Sequence, residues 1–264
     1  MSLRLLKFIS VAVLFICLAP GISADSAVRQ VKIGFFEGGE YPLHEVLREA
    51  FRNELTGLLP ENYEAVFIPG GFKSAGWIRK TCRAMAEELV NLKELDMVVA
   101  IGPWVVEELL RAGFTRPIIA MYRFDPRAEG LVDSNGVPIA ANLTVRIKPD
   151  KFENDLVVFT RLRKIDKLGV LFFPSGNEQE KVMARFNRLG EKLGFKTVTA
   201  EGFNNVGTYA FFKAYGALKE QGVRAIYISP LWGFDLAKIN WFLMEAARDH
   251  IMIFTSEGSA LVQR

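Results

Sequence analysis

Hydrophobic positions recur along the chain with two alternating periods. Short runs rich in β-branched and aromatic residues, typical of buried strands, alternate with longer segments in which apolar residues recur at helical spacing. Residues 31–36 are the first such run. The helix predicted from Pro42 onward has an apolar face made of Leu43, Val46, Leu47, Ala50, Phe51 and Leu55. This alternation predicts repeated strand–helix–strand units and a parallel sheet.

The alternation forms two series, separated by a stretch rich in turn-forming residues at 125–150. The first series predicts strands at 31–36, 64–68, 96–101 and 117–121, and helices from Pro42, near 77–92 and at 103–111. The second predicts helices near 151–163, 178–193, 208–220 and 235–248, and strands at 168–173, 195–199, 223–229 and 251–254. Because the pattern starts again, the sequence predicts an α/β fold with two Rossmann-like lobes built on parallel sheets.

The N-terminal segment has the layout of a secretory signal peptide. Arg4 and Lys7 precede an apolar run over 8–19, and a stretch of helix-breaking and small residues ends at Ala24. The run is shorter than the roughly 20 residues that a membrane-spanning helix needs. We therefore expect residues 1–24 to be a cleaved signal peptide and the mature protein to be periplasmic, with lobes at 25–145 and 146–264. Retention of the segment as an anchor is the alternative.

Charge and cysteine content narrow the functional classes. The formal net charge is +3, and removal of the two basic residues of the signal segment leaves +1, so no electrostatic argument favours nucleic-acid binding. Cleavage also leaves Cys82 as the only cysteine. Its spacing from Ile78, Met85 and Leu89 predicts a buried helix position rather than a reactive thiol.

Motifs of nucleotide, cofactor and catalytic chemistry are missing from the sequence. The two histidines, His44 and His250, lack partners at metal-binding or catalytic spacing, so we expect them to cap or pack. The adjacent acids Glu107 and Glu108 are expected to lie on a solvated helix face. The sequence therefore predicts a binding protein without a cofactor rather than an enzyme.

Several short motifs carry a resemblance to a known family through their order along the chain. They are Val-Lys-Ile-Gly at 31–34 with Tyr41-Pro42, Val-Val-Ala-Ile-Gly at 98–102, Asp125-Pro126 with Gly-Leu-Val at 130–132, Ala-Asn-Leu-Thr at 141–144, Leu-Gly-Val-Leu at 168–171 before Pro174-Ser175, Ala-Ile-Tyr at 225–227 and Phe-Thr-Ser-Glu at 254–257. Together they resemble the periplasmic substrate-binding proteins of ABC importers, in particular the tryptophan- and tyrosine-type receptors. The resemblance implies the type I periplasmic-binding fold and capture of a small organic solute, an amino acid or an aromatic-like compound, in a cleft between the lobes.

The resemblance also implies which residues contact the solute. They are Glu37, Tyr41, Gly102, Trp104 and Asp125 from the first series, and Ser175, Asn177, Asn205, Trp232, Ser256 and Glu257 from the second. A helix start at Ser175 would hold a carboxylate, Asp125 or Glu257 would pair with an ammonium, and the aromatic residues would supply apolar or cation–π walls. Structural roles are the alternative, because Asp125-Pro126 is also a common turn, Ser175 an ordinary helix cap and Trp104 a residue that can cover a sheet edge.

The sequence departs from the family pattern in three places. Phe173 and the segment 230–233 stand where the family has an asparagine and an acidic polar loop, and Pro103-Trp104 stands where it has small residues. These changes imply a more apolar cleft than an ordinary α-amino acid requires. The chain stops at Arg264 where the family continues with a segment that returns to the first lobe, so we expect the C-terminal part of that lobe to be missing.

The resemblance implies that the partners are a small-molecule solute and an ABC permease in the inner membrane. Three other hypotheses remain open. One is a ligand-sensing extracytoplasmic module with a signalling partner, and another is a degenerate relative that no longer binds solute. The third is an enzyme that uses a close carboxylate pair, such as Asp125 and Glu257.

Overall fold

The computed structural model describes residues 28–123, 125–147, 151–171, 179–200, 208–228 and 236–255. They form nine strands and seven helices that alternate along the chain. The elements are β1 (Arg29–Glu37), α1 (Pro42–Leu58), β2 (Tyr63–Ser74), α2 (Arg79–Asn91), β3 (Met97–Ile101), α3 (Val105–Arg111), β4 (Ile118–Met121), β5 (Leu143–Val145), α4 (Lys151–Leu162), β6 (Lys167–Leu171), α5 (Gln179–Leu193), β7 (Lys196–Thr199), α6 (Thr208–Glu220), β8 (Ala225–Ile228), α7 (Leu236–Arg248) and β9 (Met252–Thr255).

The chain divides into two compact units. The first contains the described residues up to 38, with 42–121 and 140–144, and the second contains 39–41, 122–139 and the described residues from 145 onward. The stretch 122–139, which the sequence-based boundary places in the first lobe, therefore belongs to the second unit. Its contacts explain this, because Asp125 binds Arg185 of α5 and Ala128 packs against the core around β6 and β8.

The first unit is built on a sheet with the strand order β2-β1-β3-β4-β5. The pairs β1–β2, β1–β3 and β3–β4 are parallel. The last five residues of β1 are buried, so this strand enters the core towards its carboxyl end. Helix α2 buries Cys82, Ala86 and Leu89, which confirms the predicted packing position of the cysteine.

Strand β2 is longer than the sequence predicts. It runs through Pro69-Gly70-Gly71 to Ser74, and its register with β1 shifts between Ile33 and Phe35. An edge strand tolerates a proline, and β2 is the edge of this sheet. The glycines allow close backbone approach, since a Cβ atom on Gly34 would lie 2.7 Å from the carbonyl oxygen of Gly71.

The second unit is built on a parallel sheet with the order β7-β6-β8-β9. Alternate residues of its strands enter two hydrophobic cores. Leu171, Ile226 and Ile228 pack with residues of α6 and α7. Leu168, Val170, Ala225 and Tyr227 pack with residues of α4 and α5. Helices therefore cover both faces, and the prediction of two α/β lobes with parallel sheets is confirmed.

Two helix starts and one predicted surface position differ from expectation. Helix α2 begins at Arg79 and α3 at Val105, because Trp77 and Trp104 have left-handed backbone conformations and cannot belong to the helices. The expectation of a solvated face is wrong for Glu108, which is fully buried beneath a group of arginines. Within the described part of the chain, no helix is long and apolar enough to span a bilayer.

Candidate functional site

The carboxyl edge of the first sheet brings three loop starts together. The N–H of Gly38 donates to the carbonyl of Ile101 at 3.1 Å, and the N–H of Trp77 donates to the carbonyl of Gly38 at 2.8 Å. The loop after β1 is therefore held between the ends of β2 and β3. From β1 the chain continues to β2 on one side of the sheet, and from β3 it continues to β4 on the other side. The boundary between β1 and β3 is therefore the topological switch point, where open α/β sheets usually bind ligands.

Glu37, the last residue of β1, places a buried carboxylate at this point. The residue is 1% exposed. Its Oε2 atom accepts a hydrogen bond from Nη1 of Arg48 and lies 3.5 Å from Nδ1 of His44. Its buried Oε1 atom has no hydrogen-bond partner among the residues that the structure describes. A buried acceptor of this kind favours a donor supplied by a ligand.

His44 lies in the first turn of α1, fully buried. Its ring packs against the loop after β3, since a Cβ atom on Gly102 would lie 3.3 Å from Cε1 and 3.5 Å from Nε2 of the imidazole. The indole ring of Trp77 is 6.0 Å away, centroid to centroid. Gly102 has φ +82°, so both its conformation and its closeness to His44 require glycine.

Arg48 follows His44 by one helical turn and therefore lies on the same face of α1. Its guanidinium donates to Glu37 through Nη1 and to Glu45 through Nη2. The same group lies 5.0 Å from the ring centroid of Phe72 in β2. Arg48 thus fixes the Glu37 carboxylate from one side through Oε2.

Two tryptophans at this edge have strained backbones. Trp77 has φ 62° and Trp104 has φ 65°, values that bulky residues adopt rarely and at an energetic cost. Trp104 is 7% exposed and directly precedes α3. The loop before it packs tightly on the β1 loop, because a Cβ atom on Gly38 would lie 2.9 Å from the carbonyl oxygen of Pro103. This close packing fixes the backbone that precedes Trp104 against the loop after β1.

Tyr41 and Asp125 belong to the second unit. The ring of Tyr41 stacks on that of Tyr122 with the centroids 6.4 Å apart and the planes at 25°. Tyr122, which directly follows β4, also has a positive φ of 56°. An aromatic residue with a left-handed backbone therefore follows each of β2, β3 and β4.

Asp125 has many partners within its own unit. Its Oδ1 atom accepts the N–H groups of Arg127 and Ala128, as in a turn, and its Oδ2 atom accepts Nη1 of Arg185 at 2.8 Å. Arg185 also donates to Glu153. Burial alone would lower the pKa of the Arg185 guanidinium, but its hydrogen bonds and the attraction of both carboxylates raise that pKa. These contacts fit the turn role, and a contact between Asp125 and a solute stays a prediction.

The other six predicted contacts lie outside the described residues. They are Ser175, Asn177, Asn205, Trp232, Ser256 and Glu257. The strands that precede these loops, β6, β7, β8 and β9, are described. Leu171 ends β6, Ile228 ends β8, and the two residues pair at the switch point of the second sheet.

Sequence reasoning missed three residues of the first-sheet edge, namely His44, Arg48 and Trp77. The first two carry a signal that could have been used, because they are four residues apart at the start of the helix after β1 and must share a face. Trp77 carries no comparable signal, because in the sequence it fits the start of the helix predicted near 77–92. Among the described residues, no group of three or more His, Cys, Asp or Glu side chains could hold a metal ion.

No protein-family model matches the chain, and no curated protein matches it significantly. Solved structures do share its fold. An ABC domain from Streptococcus pneumoniae in complex with L-Trp matches with a TM-score of 0.69 and 18% identity, over 89% of this chain and 76% of that one. A conserved domain protein from Vibrio cholerae matches with a TM-score of 0.67 and 20% identity, over the same shares of the two chains.

A more distant match is a solute-binding protein of an ABC transporter from Rhodopseudomonas palustris, in complex with 3,4-dihydroxybenzoic acid. Its TM-score is 0.56 at 12% identity, and the match covers 86% of this chain and 61% of that one. At such identities the likeness concerns the fold. The chain has the type I periplasmic-binding fold, as its sequence predicts, and the solved neighbours with this fold include ABC transporter solute-binding proteins.

Proposed function

We propose that this chain is the extracytoplasmic solute-binding subunit of an ABC importer. It would capture a small organic solute of amino-acid or aromatic character at the carboxyl edges of its sheets and deliver it to a permease in the inner membrane. The proposed activity is binding and release without catalysis. Export through residues 1–24 and a periplasmic location belong to the same proposal.

The observation that carries the proposal is the buried carboxylate at the switch point of the first sheet. The Oε2 atom of Glu37 accepts a hydrogen bond from Arg48, whereas its buried Oε1 atom accepts none from any described residue. An ammonium or hydroxyl group on a solute would supply the missing donor. Such a donor would offset the energetic cost of leaving a buried acceptor unsatisfied.

Two tryptophans at the same edge of the first sheet support the solute class. Trp77 and Trp104 follow β2 and β3 with strained backbones, which are found more often at ligand sites than elsewhere. Indole rings provide flat apolar surfaces for an aromatic ring and favour a nearby cation. L-Trp and 3,4-dihydroxybenzoic acid, which two structural neighbours bind, both combine an aromatic ring with a hydrogen-bond donor.

A thermal-shift screen of residues 25–264 against amino acids and hydroxylated benzoates tests the proposal. A ligand at a hundredfold excess over its Kd stabilises the native state by about 2.7 kcal/mol, which raises the Tm of a chain of this size by about 5 to 10 °C. We expect such a shift with one chemical class. A folded chain whose Tm responds to none of these compounds would contradict the proposal and favour a relative that no longer binds solute.

A further inference from the structure

A second buried carboxylate of the first unit organises a group of arginines. Glu108 in α3 accepts Nε of Arg79 at 3.0 Å on Oε1 and Nε of Arg83 at 3.2 Å on Oε2. Nη1 of Arg111 donates to both oxygens at 3.1 Å. We call Arg79, Arg83 and Arg111 the arginine cluster.

The charges of this group do not balance. The Glu108 side chain is 0% exposed, whereas the side chains of Arg79, Arg83 and Arg111 are 42%, 54% and 51% exposed. Burial by itself would raise the pKa of the Glu108 carboxyl, but the hydrogen bonds from Arg79 and Arg83 and the attraction of Arg111 lower it. The carboxylate is therefore ionised at neutral pH, and one negative charge faces three positive ones.

Position in the helix makes the imbalance more costly. Arg79 and Lys80 begin α2 and Arg83 follows one turn later, at the end of the helix where the macrodipole is already positive. The first turn contains no acidic residue, and the N-cap residue Ile78 makes no side-chain capping bond. Acidic residues would stabilise this helix start, and Glu108 balances only one of the three positive charges, so the cluster carries more positive charge than burial of Glu108 requires.

The geometry leaves the arginines able to bind an anion. Arg79 and Arg83 contact Glu108 through Nε, and their terminal amino groups have no hydrogen-bond partner in the described part of the chain. Glu108 holds the guanidiniums in place, which reduces the entropy lost when they bind a partner. Such groups pair with carboxylates through two parallel hydrogen bonds.

We propose that the arginine cluster is a docking surface for an acidic protein partner. Guanidiniums held at defined positions by a buried anion match discrete carboxylates on a folded surface, and arginine is enriched at protein interfaces. The exposed side chain of Ile78, which directly precedes the cluster, adds an apolar contact of the kind such interfaces contain. This proposal does not depend on the solute-binding function.

Fluorescence anisotropy with a labelled hexaglutamate peptide tests the docking surface, using the full chain at low ionic strength. We expect the wild type to bind this peptide and not a hexaglutamine peptide. The double variant Arg79→Gln/Arg83→Gln should weaken binding by about fivefold, because two charge contacts are lost. The control Arg161→Gln/Arg163→Gln removes the same charge from exposed positions at the end of α4 and should change binding by less than about twofold.

Three results would overturn the proposal. The first is an equal loss in both double variants, which indicates binding to net charge alone. The second is no binding of the peptide by the wild type. The third is arginine-dependent binding to phosphatidylglycerol vesicles without binding of the peptide, which would assign the cluster to a membrane surface instead. Circular dichroism melting of each variant ensures that only folded proteins are compared.

Discussion

Glu37 and Glu108 are buried carboxylates of the same unit with different surroundings. Glu108 accepts hydrogen bonds on both oxygens from three arginines, so it is satisfied within the protein. Glu37 is held through Oε2 alone, and its Oε1 atom has no partner among the described residues. A satisfied buried carboxylate organises its surroundings, whereas an incompletely satisfied one is suited to receive a ligand.

Replacement of each carboxylate by its amide should separate the two roles most strongly. Glu108→Gln removes charge-assisted bonds to three arginines and should lower the free energy of unfolding by about 2 to 3 kcal/mol. Glu37→Gln should lower it by less than about 1 kcal/mol, because Arg48 keeps its contact with Glu45. Urea denaturation measures both values.

Equal losses from the two amide variants would contradict the comparison, since Glu37 would then serve folding as much as Glu108 does. The exposed residue Glu87 of α2 offers a matched control. Glu87→Gln should change the free energy of unfolding by less than about 0.5 kcal/mol.

Substitution of Gly102 disturbs the Glu37 region without changing a charge. Gly102→Ala places a methyl group 3.3 Å from His44 and at φ +82°, and should cost about 1.5 to 2 kcal/mol of stability. Gly113→Ala is the control, because Gly113 has φ +80° with no atom within 4 Å of the added carbon. It should cost about 1 kcal/mol, which is the conformational part alone. Thermal or urea unfolding measures both losses of stability. Equal losses would contradict the prediction, because His44 would then have moved away from the added methyl group.

The pH dependence of stability should show a smaller effect that comes from Glu108. The pKa of Glu108 lies below its ordinary value of 4.5 in the folded protein. As the pH falls below about 5, the unfolded chain takes up this proton before the folded one does, so stability decreases. Urea midpoints measured against pH should therefore fall more steeply for the wild type than for Glu108→Gln. Parallel curves would show that the carboxyl has an ordinary pKa.

The fold could be predicted from the sequence because its signals are local. Buried strands such as β6 and the amphipathic face of α1 are recognisable within a few residues. Strand β2 was predicted too short, since Pro69-Gly70-Gly71 has the composition of a turn and only pairing with β1 makes it a strand. The burial of Glu108 was missed for a related reason. Its partners Arg79 and Arg83 lie on another helix, at a sequence distance that no local pattern can detect.

The candidate site was predicted only in part. Glu37, Gly102 and Trp104 were named from a family resemblance, and the structure places them at the carboxyl edge of the first sheet. His44 and Arg48 were missed although their four-residue spacing places them on one face of α1, because the sequence does not show which neighbour that face meets. Their importance follows from α1 returning beside the end of β1, which is a tertiary relation.

Isothermal titration calorimetry of the solute with the largest thermal shift is the most direct test of the central claim, that Glu37 receives a donor group of the ligand. The comparison uses Glu37→Gln and Glu45→Gln, since both residues contact Arg48 and only Glu37 lies at the strand end. We predict that Glu37→Gln weakens binding by about tenfold or more, and Glu45→Gln by less than about twofold. Unchanged affinity in a folded Glu37→Gln variant would contradict the claim.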